Sequence, residues 1–505
     1  MDQHKAAVDI IAANVRGFYE RKEKFRIYHG STNSTRRSSY QRDKIIDTSQ
    51  LVNVLKIDPE MRTVLVEPNL SMERLVESTT EHGLLPPVVM EFPGITVGGG
   101  FAGTAGESSS FKYGIFDCTV NQIEVVLANG EVVKASATER SDLFSGAAGS
   151  CGTLGVVTML EIQLIKAKRF VELTYHPVAS VSETIQKIKE GTEDSSVDYV
   201  DGIIFSPNSA VIMAGRLTDT CQPGTRIQRY SRAYDPWFYQ RAERLVAGRT
   251  GPITEAIPIV DYLFRYDRGG FWGGAIAFRY FITPFNRVTR WALDYFMHAS
   301  VMYHALHESG LAEQTIAQDL SLPFSTVQHF IEYIHKVFKI YPLWLCPVRP
   351  SRQGMERAHR SFFMGKDAQP NELLLNVGVW GMGPRNHDQF VDLNRDLERK
   401  VHELSGLKCL YAHTYYTEEE FWEIYDREDY ETLRQKYHAT SLPTVYDKVK
   451  TYVPNKYRQD TSISDRLLGT LWSIWPLSGL YGVFRVLIGG DYLLRKGDKE
   501  SKKRR

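Results

Sequence analysis

A glycine-rich stretch between Pro93 and Gly114 constrains this chain more than any other part of its sequence. Seven of these 22 residues are glycines, and three consecutive serines, Ser108 to Ser110, lie among them. A segment with so few side chains cannot form a packed element alone. Its backbone N–H groups can instead approach a pyrophosphate closely, because no Cβ atom stands in the way. A glycine-rich surface loop that binds nothing is the alternative interpretation.

The motif Gly98-x-Gly100-x-x-Gly103 also matches the dinucleotide-binding pattern of a Rossmann turn. Such a turn lies between a buried strand and the start of a helix. Here Phe92-Pro93-Gly94 precedes the motif and Thr104-Ala105-Gly106-Glu107 follows it, and neither run is typical of those elements. The context therefore favours an extended glycine loop over a Rossmann turn.

Helices and strands are predicted to alternate on both sides of this stretch. Apolar residues recur at helical spacing within the first 18 residues, and strands are predicted at 25–28, 45–47 and 63–66. Ser71 is a candidate cap for a helix that ends near Gly83. Two apolar runs flank Asn129-Gly130, which predicts a β-hairpin with a type I′ turn.

Composition excludes several classes of protein. The chain has 505 residues, of which 43% are apolar and 24% charged, as in ordinary globular proteins. A net charge of +1 provides no field for attracting nucleic acid, so a polynucleotide partner is not expected. The five cysteines are widely spaced without a C-x-x-C pair, which favours neither a disulfide framework nor a zinc site.

The last part of the sequence differs from the rest. From Leu467 to Leu494 the only formal charges are Arg485 and Asp491, and this run exceeds the roughly 20 residues that span a bilayer. A basic end follows it, which favours membrane attachment. A hairpin that enters one leaflet is expected, broken at Pro476, Gly479, Gly482 and Gly489-Gly490. A helix packed on the protein body is the alternative.

The residues from Thr96 to Gly114 closely resemble the FAD loop of the delta-24 sterol reductases, a family within the vanillyl-alcohol-oxidase-type FAD superfamily. Further similar motifs follow in the family's order, from about residue 20 to 450. They include Ser150-Cys151-Gly152-Thr153-Leu154-Gly155, Tyr234-Asp235-Pro236-Trp237-Phe238, Tyr341-Pro342-Leu343-Trp344-Leu345-Cys346-Pro347 and Val445-Tyr446-Asp447-Lys448.

The resemblance implies an α+β fold with three parts. A two-subdomain PCMH-type FAD-binding domain is expected over residues 1–170, and an α+β substrate (cap) domain over 171–460. A membrane-associating hydrophobic tail is expected over 461–505. The boundary near 170 agrees with the fall in glycine density and the rise in aromatic residues after that position.

The resemblance also implies FAD, held non-covalently. His29 opens the second phosphate loop, whereas the histidine that attaches flavin in some superfamily members is placed later in that loop; a simple loop histidine is the alternative for His29. The expected cofactor-binding residues are Thr96, Val97, Gly98, Gly99, Gly100, Phe101, Ala102, Gly103, Thr104, Ala105, Gly106, Glu107 and Ser108 in the glycine loop, Gly30, Ser31 and Thr32 in the second loop, and Gly155.

The implied reaction is the NADPH-driven reduction of the delta-24 double bond in a sterol side chain. An isolated alkene has no carbonyl to accept a hydride, so a positioned acid, a dry pocket and aromatic faces are needed. Tyr411 or His413 is expected to donate the proton, and Trp380 to line the pocket, although an aromatic residue in a strand is also typical of a core. The family pattern has an acidic residue where this chain has His413.

Two other functions are open to such a sequence. One is an FAD-linked oxidase or dehydrogenase of a terpenoid or other secondary metabolite, and the other is a non-catalytic, membrane-bound sterol-binding protein. The first 24 residues lack a hydrophobic signal-peptide core, and Lys502-Lys503-Arg504-Arg505 matches a di-lysine retention pattern. The expected location is therefore the endoplasmic-reticulum membrane, with the body facing the cytosol.

Overall fold

The computed structural model describes residues 1–30, 34–36, 40–221, 223–350, 364–366, 372–451 and 474–494. Within these ranges the chain mixes helices with mostly antiparallel sheets. The predicted boundary between residues 460 and 461 lies outside the described residues.

The first 166 residues form one five-stranded sheet, two small two-stranded sheets and five α-helices within the described part of this region. The five-stranded sheet has the antiparallel order β3-β4-β8-β6-β7, whereas β1 and β2 pair in parallel. The elements are α1 Asp2–Glu20, β1 Arg26–Tyr28, β2 Ile45–Asp47, β3 Val54–Asp58, β4 Thr63–Val66, α2 Met72–Thr80, β5 Leu84–Leu85, α3 Val97–Ala102, α4 Ser110–Tyr113, β6 Val120–Val126, β7 Val132–Ser136, α5 Ser141–Ala147, β8 Val156–Gln163 and β9 Ile165–Lys166.

A nine-stranded sheet begins at Phe170 and contains every later strand in the described residues. Its order is β13-β14-β10-β12-β11-β16-β17-β15-β18, and all pairs but β13–β14 are antiparallel. The elements are β10 Phe170–Val178, α6 Val181–Glu193, β11 Tyr199–Ser206, β12 Ser209–Thr218, β13 Arg226–Ile227, α7 Phe238–Val246, β14 Ile253–Pro258, α8 Ile259–Leu263, α9 Gly273–Tyr280, α10 Arg287–Ala292, α11 Ala299–Ser309, β15 Thr315–Pro323, α12 Val327–Val337, β16 Leu343–Val348, β17 Leu374–Met382, α13 His387–Glu403, β18 Leu407–Lys408, α14 Glu418–Ile424, α15 Arg427–Lys436, α16 Val445–Val449 and α17 Leu477–Ile488.

Local signals in the sequence predicted several of these elements correctly. The Ser71 side chain accepts a hydrogen bond from the Arg74 N–H and caps α2, as expected. The hairpin β6–β7 is present, but its predicted turn type is wrong. In the loop between these strands Gly130 has a positive φ, +83°, whereas Asn129 does not. The connection is therefore a longer loop with glycine in the left-handed position, because a type I′ turn requires positive φ at both central residues.

The glycine stretch is not an extended loop throughout, which corrects the sequence-based expectation. Residues 97–102 form helix α3, and the Thr96 hydroxyl accepts a hydrogen bond from the Gly99 N–H at its start. A Cβ atom on Gly98 would lie 2.8 Å from the Pro68 Cβ, and one on Gly100 would lie 2.2 Å from the Met90 Cε. These glycines therefore let the helix pack closely on its neighbours.

In residues 474–494, the described part of the hydrophobic segment, the chain forms one continuous helix, α17, over Leu477–Ile488. Pro476 precedes it and Gly489 follows it, but Gly479 and Gly482 lie inside it, so the expectation that they break the segment is wrong. A Cβ atom on Gly482 would lie 2.5 Å from the Ala305 carbonyl oxygen, which shows how closely α17 packs on α11.

Over the ranges that the structure describes, no helix combines the length and the apolar character needed to cross a bilayer.

Candidate active site

A large cavity of about 1530 Å³ lies between the glycine stretch and the nine-stranded sheet. Its wall contains residues from α3 and its flanks, from β15 and β17, from α9 and α11, and from the start of α17. The residues that were expected to bind a cofactor and those expected to carry out chemistry therefore share one space.

Most of the predicted glycine-loop residues line this cavity. They are Thr96, Gly98, Gly99, Gly100, Ala102, Gly103, Thr104, Ala105 and Gly106. The side chains of Val97, Phe101, Glu107 and Ser108 are instead buried in the protein interior and do not contribute to the cavity wall.

The other predicted cofactor-binding residues are placed differently. Gly155 lines the cavity, whereas Gly30 does not. Ser31 and Thr32 lie outside the described residues. His29 lines the cavity, and its buried Nδ1 has no hydrogen-bond partner within the described structure. Burial, with the nearby Lys448 and Arg26, lowers the pKa of His29 to about 4, so its imidazole is neutral at physiological pH.

Two cations lie on the same wall, Lys448 at the end of α16 and Arg36. Lys448 donates a hydrogen bond to the Cys151 carbonyl oxygen, and Arg36 donates one to the Lys448 carbonyl oxygen at 3.1 Å. Across the described ranges, no carboxylate forms an ion pair with either side chain. Burial, together with Arg26 and Arg36, lowers the pKa of Lys448 to about 8. A partly buried cation pair of this kind is suited to an anionic ligand.

These features fit FAD. The glycine backbone faces the cavity without side chains in the way, and the two cations match the charge of a pyrophosphate. The unpartnered polar atoms of His29 and Thr451 are available, within the described structure, to hydrogen-bond the cofactor, because both residues line the cavity. Lys448 and Arg36 were not among the residues predicted from the sequence. The signal that could have found Lys448 is its place in one of the motifs that resemble the family.

A carboxyl group lies beside the predicted proton donor Tyr411. The Tyr411 hydroxyl donates a hydrogen bond to Asp319 Oδ2 at 2.6 Å, and the Asn376 side-chain amide donates one to Asp319 Oδ1 at 2.9 Å. All three side chains line the cavity. Asp319 lies on β15 and Asn376 on the neighbouring strand β17.

Strand pairing positions Tyr411 against Asp319. The short strand β18 pairs with β15, with Lys408 opposite Leu320, and the Cys409 N–H donates to the Asp319 carbonyl oxygen at 2.9 Å. Tyr411 follows two residues later, so the turn after β18 brings its hydroxyl to the Asp319 carboxylate.

Asp319 has the acidity required of a proton donor near neutral pH. Burial raises its pKa to about 6, against the opposing hydrogen bonds from Tyr411 and Asn376, while the nearby Glu91 raises it further. Burial and the Asp319 charge raise the pKa of Tyr411 well above its ordinary value. Tyr411 alone is therefore a weak acid, and Asp319 is the more acidic member of the pair.

The other predicted proton donor, His413, also lines the cavity, but its surroundings make it a poor acid. Burial lowers its pKa to about 3, with Lys408, Arg36 and His307 acting in the same direction. Its Nδ1 lies 3.4 Å from the Thr35 hydroxyl. A neutral imidazole does not readily release a proton at physiological pH.

Aromatic rings form part of the wall next to this pair. The Phe271 and Trp380 ring centroids are 4.4 Å apart, and Trp344 stacks on Trp380 at 5.8 Å. The Trp272 indole N–H donates to the Trp380 carbonyl oxygen at 3.0 Å, which fixes the cluster against β17. Trp380 thus lines the pocket, as the sequence suggested, and also belongs to an aromatic cluster.

Comparison with known proteins identifies the first part of the chain as an FAD-binding domain. The family model for the FAD binding domain matches residues 6–136. This match includes the whole glycine stretch and helix α3.

Similarity to named proteins extends over most of the chain. It is 33% identical over 409 residues to Delta(24)-sterol reductase of Homo sapiens, covering 79% of this chain and 76% of the human protein. The Rattus norvegicus Delta(24)-sterol reductase is 31% identical over 460 residues, covering 88% and 86% of the two chains. The Arabidopsis thaliana protein of the same name is 30% identical over 446 residues, covering 80% and 76%.

Proposed function

The chain belongs to the delta(24)-sterol reductase family, and on that premise we propose that it reduces the delta-24 side-chain double bond of a sterol with electrons from NADPH. It is an FAD-dependent oxidoreductase that acts on a carbon–carbon double bond. The observation that carries the proposal is the shared cavity, in which the glycine stretch of the FAD-binding domain and the Asp319–Tyr411 pair face the same space.

The protein itself must supply the proton for this reaction. Bound FAD, once reduced, supplies the hydride. Because an isolated alkene does not accept a hydride readily, protonation at C24 must place positive charge on C25. A general acid with a pKa near the working pH is best suited to that step.

Asp319 and Tyr411 together meet this requirement. When Asp319 is protonated, the pair holds two protons, one on the carboxyl group and one on the Tyr411 hydroxyl. Only one of them is needed for the hydrogen bond between the two side chains. The carboxyl group then donates to the Tyr411 oxygen, which frees the Tyr411 hydroxyl proton for the cavity, or it donates to the alkene directly. Either route delivers one proton from the pair, and the Asn376 amide stabilises the carboxylate that remains.

The aromatic cluster stabilises the positive charge that protonation creates. Ring faces of Phe271, Trp344 and Trp380 attract a cation through their quadrupoles, and this attraction is strongest where water is excluded.

Lys448 and Arg36 would hold the phosphate groups of FAD. Their positive charges lie on the same wall as Gly152 and Gly155, near His29. The N–H groups of Gly98, Gly99 and Gly100 already donate to Pro68 and Thr96, so these glycines contribute close approach, and the two cations contribute the charge that a pyrophosphate needs.

NADPH is proposed as the electron donor and would use the same cavity. The sequence contains no separate segment that resembles a nicotinamide-binding domain, and the Gly98-x-Gly100-x-x-Gly103 match lies within α3 and its C-terminal cap rather than between a strand and a helix. NADPH would therefore have to bind in the cavity already described.

We also propose that the protein is attached to the endoplasmic-reticulum membrane through its C-terminal segment, with the body in the cytosol. The apolar run from Leu467 to Leu494 and the terminal Lys502-Lys503-Arg504-Arg505 support this location. Fractionation of cells, followed by protease treatment of intact microsomes, tests it. Digestion of the body in intact microsomes is expected, whereas protection would contradict the cytosolic orientation.

The central experiment is anaerobic turnover. Purified, flavin-loaded protein is incubated with NADPH and a delta-24 sterol such as desmosterol, and the sterol is analysed by mass spectrometry. A gain of two hydrogens in the side chain is expected, with bleaching of the flavin by NADPH before sterol is added. Three results together would indicate an oxidase instead. No sterol product would form, NADPH would not bleach the flavin, and oxygen would rapidly reoxidise the flavin after its reduction with dithionite. Protein that takes up no flavin on reconstitution would indicate a sterol-binding protein.

A further inference from the structure

Two segments far apart in sequence leave large apolar side chains exposed. The first includes α10 and its flanks, where Ile282, Phe285, Val288, Trp291 and Tyr295 are exposed. The second includes α17 and the two residues before Pro476, where Ile474, Trp475, Leu477, Leu480, Phe484, Leu487 and Ile488 are exposed. A concentration of this size is unusual on a soluble surface and marks an interaction site.

The two segments contact each other directly. The Trp475 indole N–H donates to the Tyr280 carbonyl oxygen at 2.7 Å, and the Tyr280 hydroxyl lies 3.4 Å from the Ser478 hydroxyl. Gly479 lets α17 approach this point, since a Cβ atom there would lie 2.5 Å from the Tyr280 ring. The exposed side chains that follow Tyr280 and those of α17 therefore form one patch, here called the apolar surface.

The cavity opens at the apolar surface. Trp475 and Leu480 are 46% and 52% exposed, yet both also line the cavity. Phe281, Thr283 and Phe296 of the first segment contribute to the same wall. A molecule that enters between Trp475 and Leu480 would pass from the apolar surface directly into the cavity.

The exposed charges beside the first segment are positive. Between residues 269 and 295 the sequence has three arginines and one acidic residue, Asp294, which is largely buried and pairs with Arg268 at 2.8 Å, whereas Arg279 and Arg287 are exposed. In the second segment the only charge between residues 474 and 490 is Arg485, which pairs with Glu308 at 3.2 Å. Such a surface is complementary to anionic phospholipids.

We propose that the apolar surface lies on an anionic phospholipid membrane, with α17 in the plane of the headgroups, and that a lipid substrate enters the cavity from the bilayer beside Trp475 and Leu480. The entry route rests on the proposed sterol substrate, whereas the membrane contact does not. A helix with one packed face and one exposed apolar face lies in the interface and need not cross it. A sterol that moves directly from bilayer to cavity avoids the cost of exposure to water.

Vesicle flotation tests the membrane contact. The flavin-loaded protein is mixed with phosphatidylcholine vesicles containing or lacking phosphatidylserine. The paired variants Phe484→Ser/Leu487→Ser and Val288→Ser/Trp291→Ser remove exposed side chains that do not line the cavity. Each pair is expected to weaken binding to phosphatidylserine vesicles by about tenfold or more, because several apolar groups leave the bilayer.

A matched control comes from exposed apolar residues elsewhere. The pair Ile10→Ser/Met61→Ser alters α1 and the β3–β4 turn and is expected to leave flotation unchanged. Flavin content and Tm of all variants show that they are folded. Equal flotation of the wild type and both test pairs would overturn the proposal. The proposal would also be overturned if the wild type were a dimer that does not float and both test pairs were monomers. A second copy of the chain would then cover the apolar surface.

The entry route is tested by the form in which sterol is supplied. With sterol in phosphatidylserine vesicles, both test pairs are expected to turn over about tenfold more slowly than wild type. With the same sterol delivered by cyclodextrin, their rates are expected to match wild type. Equal slowing in both formats would overturn entry from the bilayer. A wild type that floats but is inactive in both formats would contradict the sterol-reductase function and leave the membrane contact standing.

Discussion

The Tyr411 hydroxyl donates a hydrogen bond to the Asp319 carboxylate, with 2.6 Å between the two oxygens. Asp319 lies on strand β15 and Tyr411 in the turn after β18, and they meet only because those strands pair. Tyr411 has the position of a proton donor, and Asp319 has the acidity, so the two properties are divided between neighbouring side chains.

Replacement of Asp319 is expected to slow the proton-transfer step strongly. Asp319→Asn keeps the shape and the hydrogen bond with Tyr411 but removes the titrating proton. We expect sterol reduction to slow by about 10²- to 10⁴-fold, the usual contribution of a general acid. Single-turnover oxidation of the NADPH-reduced flavin by sterol, measured by absorbance without oxygen, gives this rate.

The control for that experiment is His413→Gln. Because the His413 imidazole is neutral and weakly acidic, we expect its replacement to change the same rate by no more than about threefold. A large loss in His413→Gln together with a normal rate in Asp319→Asn would reverse the assignment of the acid. FAD content should be equal in both variants.

The rate of sterol reduction should depend on pH through Asp319. The step needs the protonated carboxyl group, and burial raises the pKa of Asp319 to about 6. The rate is therefore expected to be level below about pH 6 and to fall about tenfold for each further pH unit. Stopped-flow measurements between pH 5 and 8 check this, with flavin reduction by NADPH as the comparison step. A flat profile for wild type, or the same slope in Asp319→Asn, would contradict the role of Asp319.

Lys448→Met is expected to weaken FAD binding. Loss of a buried cation that faces a pyrophosphate removes a charge-assisted hydrogen bond, which corresponds to an affinity loss of about 10- to 100-fold. Titration of the apoprotein with FAD, followed by flavin fluorescence, measures the Kd. Lys436→Met is the matched control, because Lys436 pairs with Asp142 at 2.6 Å, is exposed and does not line the cavity.

The same lysine links FAD binding to pH. The pKa of Lys448 is lowered to about 8, and an anion beside it would raise that pKa. FAD affinity is then expected to be constant below about pH 8 and to fall above it, until the pKa of the bound form is reached. An affinity that does not change between pH 7 and 10, in wild type and Lys448→Met alike, would show that Lys448 does not face the phosphates.

Gly98→Ala is expected to destabilise the cofactor domain. The added methyl group would lie 2.8 Å from the Pro68 Cβ and 3.0 Å from its carbonyl oxygen, and backbone cannot move aside cheaply. We expect a loss of about 1–3 kcal/mol in the free energy of unfolding, visible as a lower Tm and lower flavin content. Gly251→Ala serves as the control, because its added methyl group would have no atom of the described residues within 4 Å and its φ is not positive. Equal Tm values for the two variants would contradict this packing role.

The sequence was most informative where structure is set by neighbouring residues. The cap at Ser71, the strands 45–47 and 63–66 and the β6–β7 hairpin depend on local patterns, and all are present. The glycine stretch was harder to interpret, because composition does not distinguish glycines that face a ligand from glycines that face Pro68 or Met90. Both kinds occur in α3. Gly98 and Gly100 line the cavity and also pack against Pro68 and Met90, respectively.

The chemistry of the site was less predictable because it depends on contacts between distant residues. Nothing in the residues around Asp319 distinguishes it from an ordinary strand carboxylate until β18 brings Tyr411 beside it. Lys448 is separated by almost 300 residues from Cys151, whose carbonyl oxygen accepts its hydrogen bond. Burial, together with Lys408 and Arg36, lowers the pKa of His413 to about 3, and the sequence around His413 contains no sign of that environment.

The residues after α17 return to the beginning of the chain. The Tyr40 N–H donates to the Leu493 carbonyl oxygen at 3.0 Å, and Tyr28 donates to the Asp491 carboxylate. Tyr28 and Tyr40 flank the second phosphate loop on either side. Because a ribosome makes residues 491–494 long after residues 28–40, Tyr28 and Tyr40 acquire these contacts only late in synthesis. A nascent chain therefore completes the part of the cavity wall that includes Tyr40 after the five-stranded and nine-stranded sheets have already emerged.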